Sequence, residues 1–465
     1  MRTYLDHAAT APLRPEVAEQ VARDVAEMAG IAEMVGTAGS TGPADGRAGA
    51  VGALANPAAL HGSGRRAAGL LARARARIAA ALGVDAHEVI LTSGGTEADG
   101  LVVAGRALAV PGGTLAVSAV EHPAVLDSAR TAQARLGARL RVLEVDGAGL
   151  VRPESVADAV REAREAGAGA AGLGRGEKGA STSSPVALVS VMAANNETGA
   201  VQDLAGIVEA VREASGARRP GQPGYVPVHA DAVAAVGRVP LDVRGWGLDA
   251  VSISGHKLGA PVGVGALVAR RDLELVAPMG GGRQERGLRS GTQDVVGARA
   301  LALALELAVA ERESEAARLE ALRERLLAGA LAIPGAHATL PGSAPHLPGT
   351  AHLPGTAHLW FDGVSAEALL MALDMAGIDA SAGSACHAGV SGPSHVLEAM
   401  GLGEEAARGT LRCSMGAGTS ADDVERLLAA LPSAVETARR ARTGHMATAG
   451  TDSAALTETT ARGQS

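Results

Sequence analysis

A single lysine lies where the chain could hold a carbonyl compound as a Schiff base. Lys257 ends the sequence SGHK after a predicted strand, beside His256 and among the small residues Ser254, Gly255 and Gly259. A lysine amine becomes nucleophilic when a confined pocket partly desolvates it. Taken alone, a lysine at a strand end is usually a solvated surface charge. Its neighbours make the reactive interpretation the better one.

Polar residues follow several predicted strands, at the edge where ligands bind to open parallel sheets. Asp231 could pair with a pyridinium nitrogen and keep such a ring electron-withdrawing. The amides of Gly95 and Thr96, at a strand-to-helix junction, could bind a phosphate with help from the helix dipole. His122 could stack on a ring, and Asn196 could hydrogen-bond a ring oxygen. Each also has an ordinary interpretation as a cap, turn or loop residue, but their occurrence at consecutive strand ends favours one site.

The two cysteines have different surroundings in the sequence. Cys386 lies in SAGSACHAG (381–389), where a thiol exposed beside His387 would be partly thiolate and nucleophilic. The alternative is that Cys386 is a small buried apolar residue, as free cysteines usually are. Cys413 lies in a predicted strand and is interpreted as a core residue. Its neighbour Arg412 could bind a carboxylate with both arms of its guanidinium, unless it is a surface arginine.

Alternation of β-rich and Ala-rich segments predicts a parallel sheet covered by helices. The β-rich segments are 87–93, 114–120, 139–145, 187–193, 226–232, 250–255 and 264–270. A long helical stretch at 295–331 and a mixed region up to about 440 predict a smaller α+β domain. We therefore predict an α/β fold in which 14–292 form a large domain with a mostly parallel seven-stranded sheet, and 1–13 with 293–442 form the small domain.

Three low-complexity segments are predicted to be mobile insertions without a catalytic role. They are 33–53, 164–184 and 343–358, the last of which contains the hexapeptide HLPGTA twice in tandem. The polar tail, 443–465, is predicted to be disordered.

Composition limits the classes of function. The 465 residues are 47% hydrophobic, enough for more than one core, and 42 basic against 50 acidic residues give a net charge of −8. This charge disfavours nucleic-acid and anionic-membrane partners, and five aromatic residues offer little for stacking bases. We expect no membrane span and no secretory signal, hence a cytoplasmic protein. Two cysteines allow no disulfide framework, and we predict no metal site.

Ten segments together resemble the cysteine desulfurase family, which are fold-type-I pyridoxal-phosphate enzymes related to class V aminotransferases. They occur in family order and extend over nearly the whole chain to about 440. The segments are YLDHAAT (4–10), ANPAALH (55–61), TSGGTEAD (92–99), VEHPAVLD (120–127), NNETGAVQD (195–203), HADAV (229–233), SISGHKLGAPVGVGAL (252–267), GGGRQERGLRSGTQ (280–293), SAGSACHAG (381–389) and LRCSMG (411–416).

The resemblance implies a role for each matching residue. Lys257 would carry pyridoxal phosphate, Asp231 would pair its pyridine nitrogen, and His122 would stack on the ring and assist proton transfer. Cys386 would attack the substrate sulfur, and Arg412 would bind the substrate carboxylate. Asn196 would contact the ring oxygen, and Asn56 would assist Arg412 in binding the substrate. The phosphate would be held by Gly95, Thr96, Ser254, His256 and, from the other subunit of a homodimer, Thr292.

The implied activity removes sulfur from L-cysteine, which leaves alanine and a persulfide for a sulfur-acceptor protein, such as an iron–sulfur scaffold or a tRNA-thiolating enzyme. The spacing from Cys386 to PSHVL (393–397) resembles the branch of the family with a longer, mobile loop. Ala234 stands where the family has a glutamine, so one hydrogen bond to the ring oxygen, of about 0.5–1.5 kcal/mol, is missing. The alternatives are a selenocysteine lyase or class V aminotransferase on the same scaffold, or a pseudoenzyme that serves as an interaction platform.

Overall fold

The computed structural model describes most of the chain as a series of strands and helices. The described ranges are 2–29, 55–171, 186–340, 352–383 and 394–461, with the backbone alone for 166–171 and 443–461. The strands are β1 (Thr3–Tyr4), β2 (Val89–Thr92), β3 (Thr114–Ser118), β4 (Arg139–Leu143), β5 (Val186–Ser190), β6 (Val228–Asp231), β7 (Ala250–Ser254), β8 (Gly265–Ala269), β9 (Ala336–Ala338), β10 (Thr356–Phe361), β11 (Ile378–Asp379) and β12 (Thr410–Ser414).

The helices alternate with these strands along the chain. They are α1 (Pro15–Met28), α2 (Gly62–Leu82), α3 (Gly95–Ala109), α4 (Pro123–Leu136), α5 (Pro153–Ala171), α6 (Leu204–Ser215), α7 (Val295–Ala330), α8 (Ala366–Met375), α9 (His395–Ala399), α10 (Glu404–Arg408) and α11 (Ala421–Ala461). Within the described ranges, no helix combines the length and apolar character needed to cross a bilayer.

The chain forms two compact units. The large unit comprises Ala9–Asn195 and Val201–Ser314, and the small unit comprises Met1–Ala8, Asn196–Ala200 and Glu315–Ser465. One boundary between the units, after Ser314, lies within the continuous helix α7. The boundary predicted from the sequence is at 292.

A seven-stranded sheet forms the centre of the large unit, in the order β2-β8-β7-β6-β5-β3-β4. Its neighbouring strands are parallel except at β8, which is antiparallel to both β2 and β7. All seven predicted β-segments form these strands, and the predicted fold class is confirmed. Every residue of β3, β5, β6 and β7 is buried, because helices cover both faces of such a sheet and its strands are therefore continuously apolar.

Local signals in the sequence set the ends of the helices that cover this sheet. Helix α6 begins after Asp203, whose side chain accepts a hydrogen bond from the Gly206 amide, and it ends at Gly216 with φ of 67°. Helix α4 has Pro123 in its first turn and ends at Gly137 with φ of 71°. Caps of this kind fix where each helix meets the end of the preceding strand.

The small unit contains a three-stranded antiparallel sheet, β12-β10-β9, and a short parallel pair, β1-β11. Its core includes Leu5, Leu359, Phe361 and Leu411, which are fully buried. Cys413 is also fully buried in this core, as the sequence predicts.

Three predicted irregular segments contain regular structure. Helix α5 extends to Ala171, into the predicted insertion 164–184, because its REAREA sequence favours helix. The second HLPGTA copy enters β10, and its Leu353 is 2% exposed with its amide bonded to the Gly199 carbonyl at 2.7 Å. Helix α11 continues to Ala461, through residues 443–461, where disorder was predicted. The insertion 33–53 and the first HLPGTA copy lie outside the described residues.

A buried carboxylate at the start of β7 ties three segments of the large unit together. The Asp249 side chain accepts hydrogen bonds from the Tyr225 hydroxyl at 2.6 Å, the Val228 amide at 2.9 Å and the Arg212 guanidinium at 2.9 Å. The side chains of Asp249 and Arg212 are only 1% and 6% exposed. Removing the carboxylate would leave a buried cation and two other donors without this acceptor.

We predict that Asp249→Ala lowers the free energy of unfolding by about 3–5 kcal/mol, as expected when one partner of a buried ion pair is removed. The midpoint of guanidinium chloride unfolding measures the effect. Asp158→Ala is the matched control, because Asp158 pairs with Arg161 with side chains 62% and 53% exposed, and such a pair contributes under about 1 kcal/mol. Equal effects of the two substitutions would contradict the prediction.

Candidate active site

A buried carboxylate and a lysine follow one another at the ends of adjacent strands. Asp231 is the last residue of β6 and is 4% exposed; Lys257 ends a short helical turn directly after β7. The two strands are parallel, with Asp231 opposite Ser252. Burial raises the pKa of Asp231 to about 6, against the lowering effects of its bond from the Val233 amide and of the Lys257 charge. The positive charge of Lys257 therefore favours the ionised form of the buried Asp231 carboxyl.

Lys257 is half-buried, and its amine has a defined direction. Nζ donates a hydrogen bond to the Ala9 carbonyl at 2.9 Å. A carbonyl oxygen binds the protonated amine without neutralising its charge. The amine is thus held at the rim of the sheet by a neutral group.

His256, next to Lys257, is a neutral imidazole at physiological pH. Burial, and then the Lys257 charge, lower the pKa of His256 to about 4. Its Nδ1 is 2.7 Å from the Thr10 hydroxyl. If that hydroxyl donates, Nε2 carries the proton and can donate to an anion. Thr10 belongs to the YLDHAAT motif, and sequence reasoning had not assigned it a role.

The turn before α3 forms a cradle that only glycine permits. A Cβ on Gly95 would lie 2.6 Å from Val233 Cγ2, and one on Gly265 would lie 2.6 Å from Gly94 Cα. Ser254 is adjacent, since a Cβ on Gly94 would be 3.7 Å from its hydroxyl. The first amides of a helix lack partners within the helix and attract anions. A phosphate group fits this set of donors.

His122 caps the start of α4 and is held by it. Its Nδ1 accepts a hydrogen bond from the Ala124 amide at 3.1 Å, which places the proton of the neutral ring on Nε2. His122 and Thr96 line a groove of about 670 Å³ between α3 and α4. The groove gives these two side chains access to solvent.

Two further carboxyls are buried close to Asp231, and sequence reasoning missed both. Asp99 on α3 and Glu121 before α4 have pKa values raised well above their ordinary range, mainly by burial and then by the Asp231 charge. Close buried carboxylates disfavour more than one negative charge. The Val233 amide and then the Lys257 charge lower the pKa of Asp231 and so favour the negative charge on that carboxyl.

His229 lies on the same face of β6 as Asp231, two residues earlier. Its ring nitrogens are 2.9 Å from the hydroxyls of Ser190 and Ser252, on the two flanking strands. Burial lowers the pKa of His229 to about 3, so the ring is neutral. The alternation of side chains along HAD could have indicated this position from the sequence.

In the small unit, Arg412 on β12 has a buried guanidinium with one donor to spare. Nη2 donates to the Asp6 carboxylate at 2.7 Å, and Nη1 donates to the Asn196 carbonyl at 2.9 Å. Nε is buried and has no hydrogen-bond partner among the described residues. A planar guanidinium binds carboxylates with two parallel N–H groups, so this vacant donor suits a further carboxylate. Asp6, in the same motif as Thr10, was also missed.

The structure therefore joins only part of the predicted site. Within the large unit, contacts or charge effects link Gly95, Asp231, Ser254, His256 and Lys257. Within the small unit, Arg412 contacts Asn196.

The other predicted residues are separate from these contacts. Asn56 is exposed and its side chain accepts a hydrogen bond from the Ala58 amide, and Thr292 is exposed after the turn that precedes α7. Cys386 and His387 lie outside the described residues.

We predict that Asp231→Asn stabilises the ligand-free protein at pH 8. The raised pKa means that the folded state holds the Asp231 proton more tightly than the unfolded state, whose pKa is near 3.8. The charged acid therefore weakens the fold as pH rises from about 4 to 6, by up to roughly 3 kcal/mol.

Thermal unfolding of both proteins at pH 4 and pH 8 measures this effect. The variant should match wild type at pH 4 and unfold at a higher temperature at pH 8. Asp127→Asn, at a side chain that is 67% exposed, is the control and should show little difference. A variant less stable than wild type at pH 8 would contradict the charge assigned to Asp231.

Comparison with known proteins identifies the family of the chain. The model of the family "Aminotransferase class-V" matches residues 52–166 and 179–427. The chain is 41% identical to an IscS-like cysteine desulfurase of Mycobacterium tuberculosis, over 94% of this chain and 97% of that protein. It is 33% identical to the cysteine desulfurase IscS of Methanosarcina thermophila, over 94% and 92%.

A solved structure supports the same assignment. The structure of a NifS-like protein superposes with a TM-score of 0.75 at 28% identity and covers 93% of this chain and 99% of that chain. Sequence and fold agree over nearly the full length of these relatives, and the chain belongs to the cysteine desulfurase family of class V aminotransferases.

Proposed function

We propose that this chain is a pyridoxal-phosphate-dependent cysteine desulfurase, which converts L-cysteine to L-alanine and keeps the sulfur as a persulfide on Cys386. The observation that carries the proposal is the buried Asp231 carboxylate beside Lys257 at adjacent strand ends. A buried carboxylate is stable when it faces a cation, and a protonated pyridine nitrogen would be that cation. The relatives named above, which match nearly the full chain, support the same activity.

The donors in the large unit suit this cofactor. Pyridoxal phosphate, when bound, supplies an aldehyde for amines and a ring that withdraws electrons from the attached substrate carbon. The amides of Gly95 and Thr96, the Ser254 hydroxyl and the neutral His256 would hold the phosphate. Ala234 makes no side-chain hydrogen bond, so the ring oxygen would depend on Asn196.

Lys257 would hold the cofactor and then move protons. The Lys257 amine would attach the cofactor and, when not attached, would take the proton from Cα of L-cysteine. His122, with its proton on Nε2, would assist proton transfer over the ring face. Arg412 would hold the substrate carboxylate through its vacant Nε, with Asn56 assisting. Fixing the carboxylate sets which bond at Cα is broken.

Cys386 would complete the reaction as the nucleophile. Its thiolate attacks the substrate sulfur, so an S–S bond forms while the Cβ–S bond breaks. Cβ keeps the electron pair and takes a proton, which yields alanine. The substrate carbon is reduced and the Cys386 sulfur is oxidised to the persulfide, so no outside oxidant is needed.

The persulfide would pass to a thiol of an acceptor protein. We include in the proposal a cytoplasmic homodimer, in which Thr292 of each copy contacts the phosphate bound by the other. The exposure of Thr292 in the single chain is consistent with that role.

We predict that Cys386→Ala abolishes persulfide formation and sulfide release from L-cysteine, while the protein keeps the yellow colour of the bound cofactor. The substitution removes the sulfur-accepting thiol but no cofactor ligand. Sulfide and alanine assays with L-cysteine and a thiol reductant measure the effect, alongside the visible spectrum.

Cys413→Ala is the matched control, because it removes the other thiol from a fully buried position where the pKa is raised to about 12. It should retain activity. Sulfide release that persists in Cys386→Ala would overturn the role of Cys386. Transfer of the amino group to a keto acid at the same rate as sulfur removal would favour the aminotransferase alternative.

A further inference from the structure

Two residues directly opposite each other on neighbouring strands of the small unit each carry a buried nitrogen without a hydrogen-bond partner among the described residues. The nitrogens are Nε2 of His358 on β10 and Nε of Arg412 on β12. The strands are antiparallel, and each residue is 4% exposed. Buried polar atoms nearly always have partners, so a neighbouring pair of exceptions indicates a group that this part of the chain does not supply.

The side chains of His358 and Arg412 lie on the same face of the small sheet. Residues directly opposite in an antiparallel pair project to one face, with Cβ atoms about 4.5–5.5 Å apart. The residues that alternate with them, Ala357, Leu359 and Leu411, belong to the apolar core on the other face. One small group with two acceptor atoms can therefore contact both His358 and Arg412.

One interaction fixes the ring of His358 and leaves its other nitrogen for a ligand. Nδ1 is 2.7 Å from the hydroxyl oxygen of Thr339, which follows β9 and is also buried. Burial lowers the pKa of His358 to about 4; the Glu197 charge opposes this effect and the Arg412 charge adds to it. The ring is therefore neutral at physiological pH. If the Thr339 hydroxyl donates to Nδ1, the ring proton is on Nε2, which is then a donor.

Arg412 offers a second donor in a fixed position. Its Nη2 donates to the Asp6 carboxylate at 2.7 Å and its Nη1 donates to the Asn196 carbonyl at 2.9 Å, so both ends of the guanidinium are held. The Nε–H group and the imidazole N–H opposite it are then two donors on one face. A carboxylate has two oxygens that accept from a pair of N–H groups. It is the ligand group that satisfies both nitrogens at once.

We propose that His358 is a second binding residue for the substrate carboxylate, whose Nε2–H donates to one oxygen while the Arg412 Nε–H donates to the other. The inference rests on the proposed function, which assigns the carboxylate of L-cysteine to Arg412. A neutral donor beside the arginine adds a directed hydrogen bond without a second positive charge. The site would thus select amino acids over amines that lack a carboxylate, because such amines leave both buried donors unpaired.

Two amide side chains of different length test the role of Nε2. A glutamine amide can reach the position of Nε2, whereas an asparagine amide reaches only that of Nδ1 and can keep the bond to Thr339. His358→Asn should raise the KM for L-cysteine roughly 10-fold with kcat near wild type, because a hydrogen bond to a charged group is lost from substrate binding. His358→Gln should keep the KM near the wild-type value.

Two ligands that contain no sulfur separate the carboxylate from the rest of the substrate. L-Alanine, the proposed product, carries a carboxylate that ethylamine lacks, and the dissociation constant of each is read from the absorbance of the bound cofactor. His358→Asn should weaken L-alanine binding by about the same 10-fold and leave ethylamine binding unchanged. Nitrogen NMR of wild-type protein with isotope-labelled histidine should show the His358 proton on Nε2.

Thr356→Val is the matched control for His358→Asn. Thr356 lies two residues earlier on the same strand, is 1% exposed, and its hydroxyl also has no hydrogen-bond partner among the described residues. Valine has a similar shape, so the control should leave the affinity for L-alanine unchanged and should not lower the melting temperature. Arg412→Gln tests the proposed function itself, and it should weaken L-alanine relative to ethylamine at least as much as His358→Asn does.

Four outcomes contradict the inference. Wild-type affinity for L-alanine in His358→Asn, beside a weakened Arg412→Gln, would overturn it and leave the proposed function intact. An equal loss in Thr356→Val, or an equal loss of ethylamine binding, would show an effect of packing and overturn it too. A proton on Nδ1 of His358 would remove the donor, whatever the stability of the variants. If Arg412→Gln binds both ligands as wild type does, the carboxylate is not at Arg412, and that part of the proposed function fails together with the inference.

Discussion

The negative charge of Asp231 is the constraint on which the candidate site depends. A carboxylate that water barely reaches is costly unless a cation or several donors face it. At the end of β6 it has one backbone amide and the Lys257 charge, which leaves its pKa raised to about 6. Groups of the protein itself thus compensate the negative charge of Asp231 only in part. This is the environment that would favour a protonated ring nitrogen in a ligand, and it disfavours charge on the neighbouring Asp99 and Glu121.

The same physical rule organises the small unit. Buried charged groups there have hydrogen-bond partners. The Arg412 guanidinium donates to the Asp6 carboxylate and the Asn196 carbonyl, and the Glu197 carboxylate accepts from the Ser394 hydroxyl. These bonds fix the Arg412 side chain within one compact unit through atoms other than its Nε. The Arg412 Nε, which has no hydrogen-bond partner among the described residues, is the donor that these bonds leave for a ligand.

Much of the large unit could be predicted from the sequence, because its signals are local. The alternation of β-rich and Ala-rich segments identified all seven strands, and strand-end positions pointed to Lys257 and Asp231. The partners of these residues could not be predicted in the same way. Asp6 is 406 positions from Arg412 and Glu197 is 197 positions from Ser394, so only the folded chain shows either pair. The second HLPGTA copy was misjudged for a related reason, since its contacts include a hydrogen bond from the Leu353 amide to the distant Gly199 carbonyl.

The link between Lys257 and an aldehyde is the most direct test of this account. The protein would be saturated with pyridoxal phosphate, reduced with borohydride and digested, and the modified peptide located by mass spectrometry. Lys178 is the only other lysine in the chain and serves as an internal control. The account predicts one stoichiometric adduct on Lys257 and none on Lys178, with loss of the adduct in Lys257→Ala. An adduct on Lys178 or the N-terminus at the expense of Lys257, or no reducible adduct at all, would contradict it.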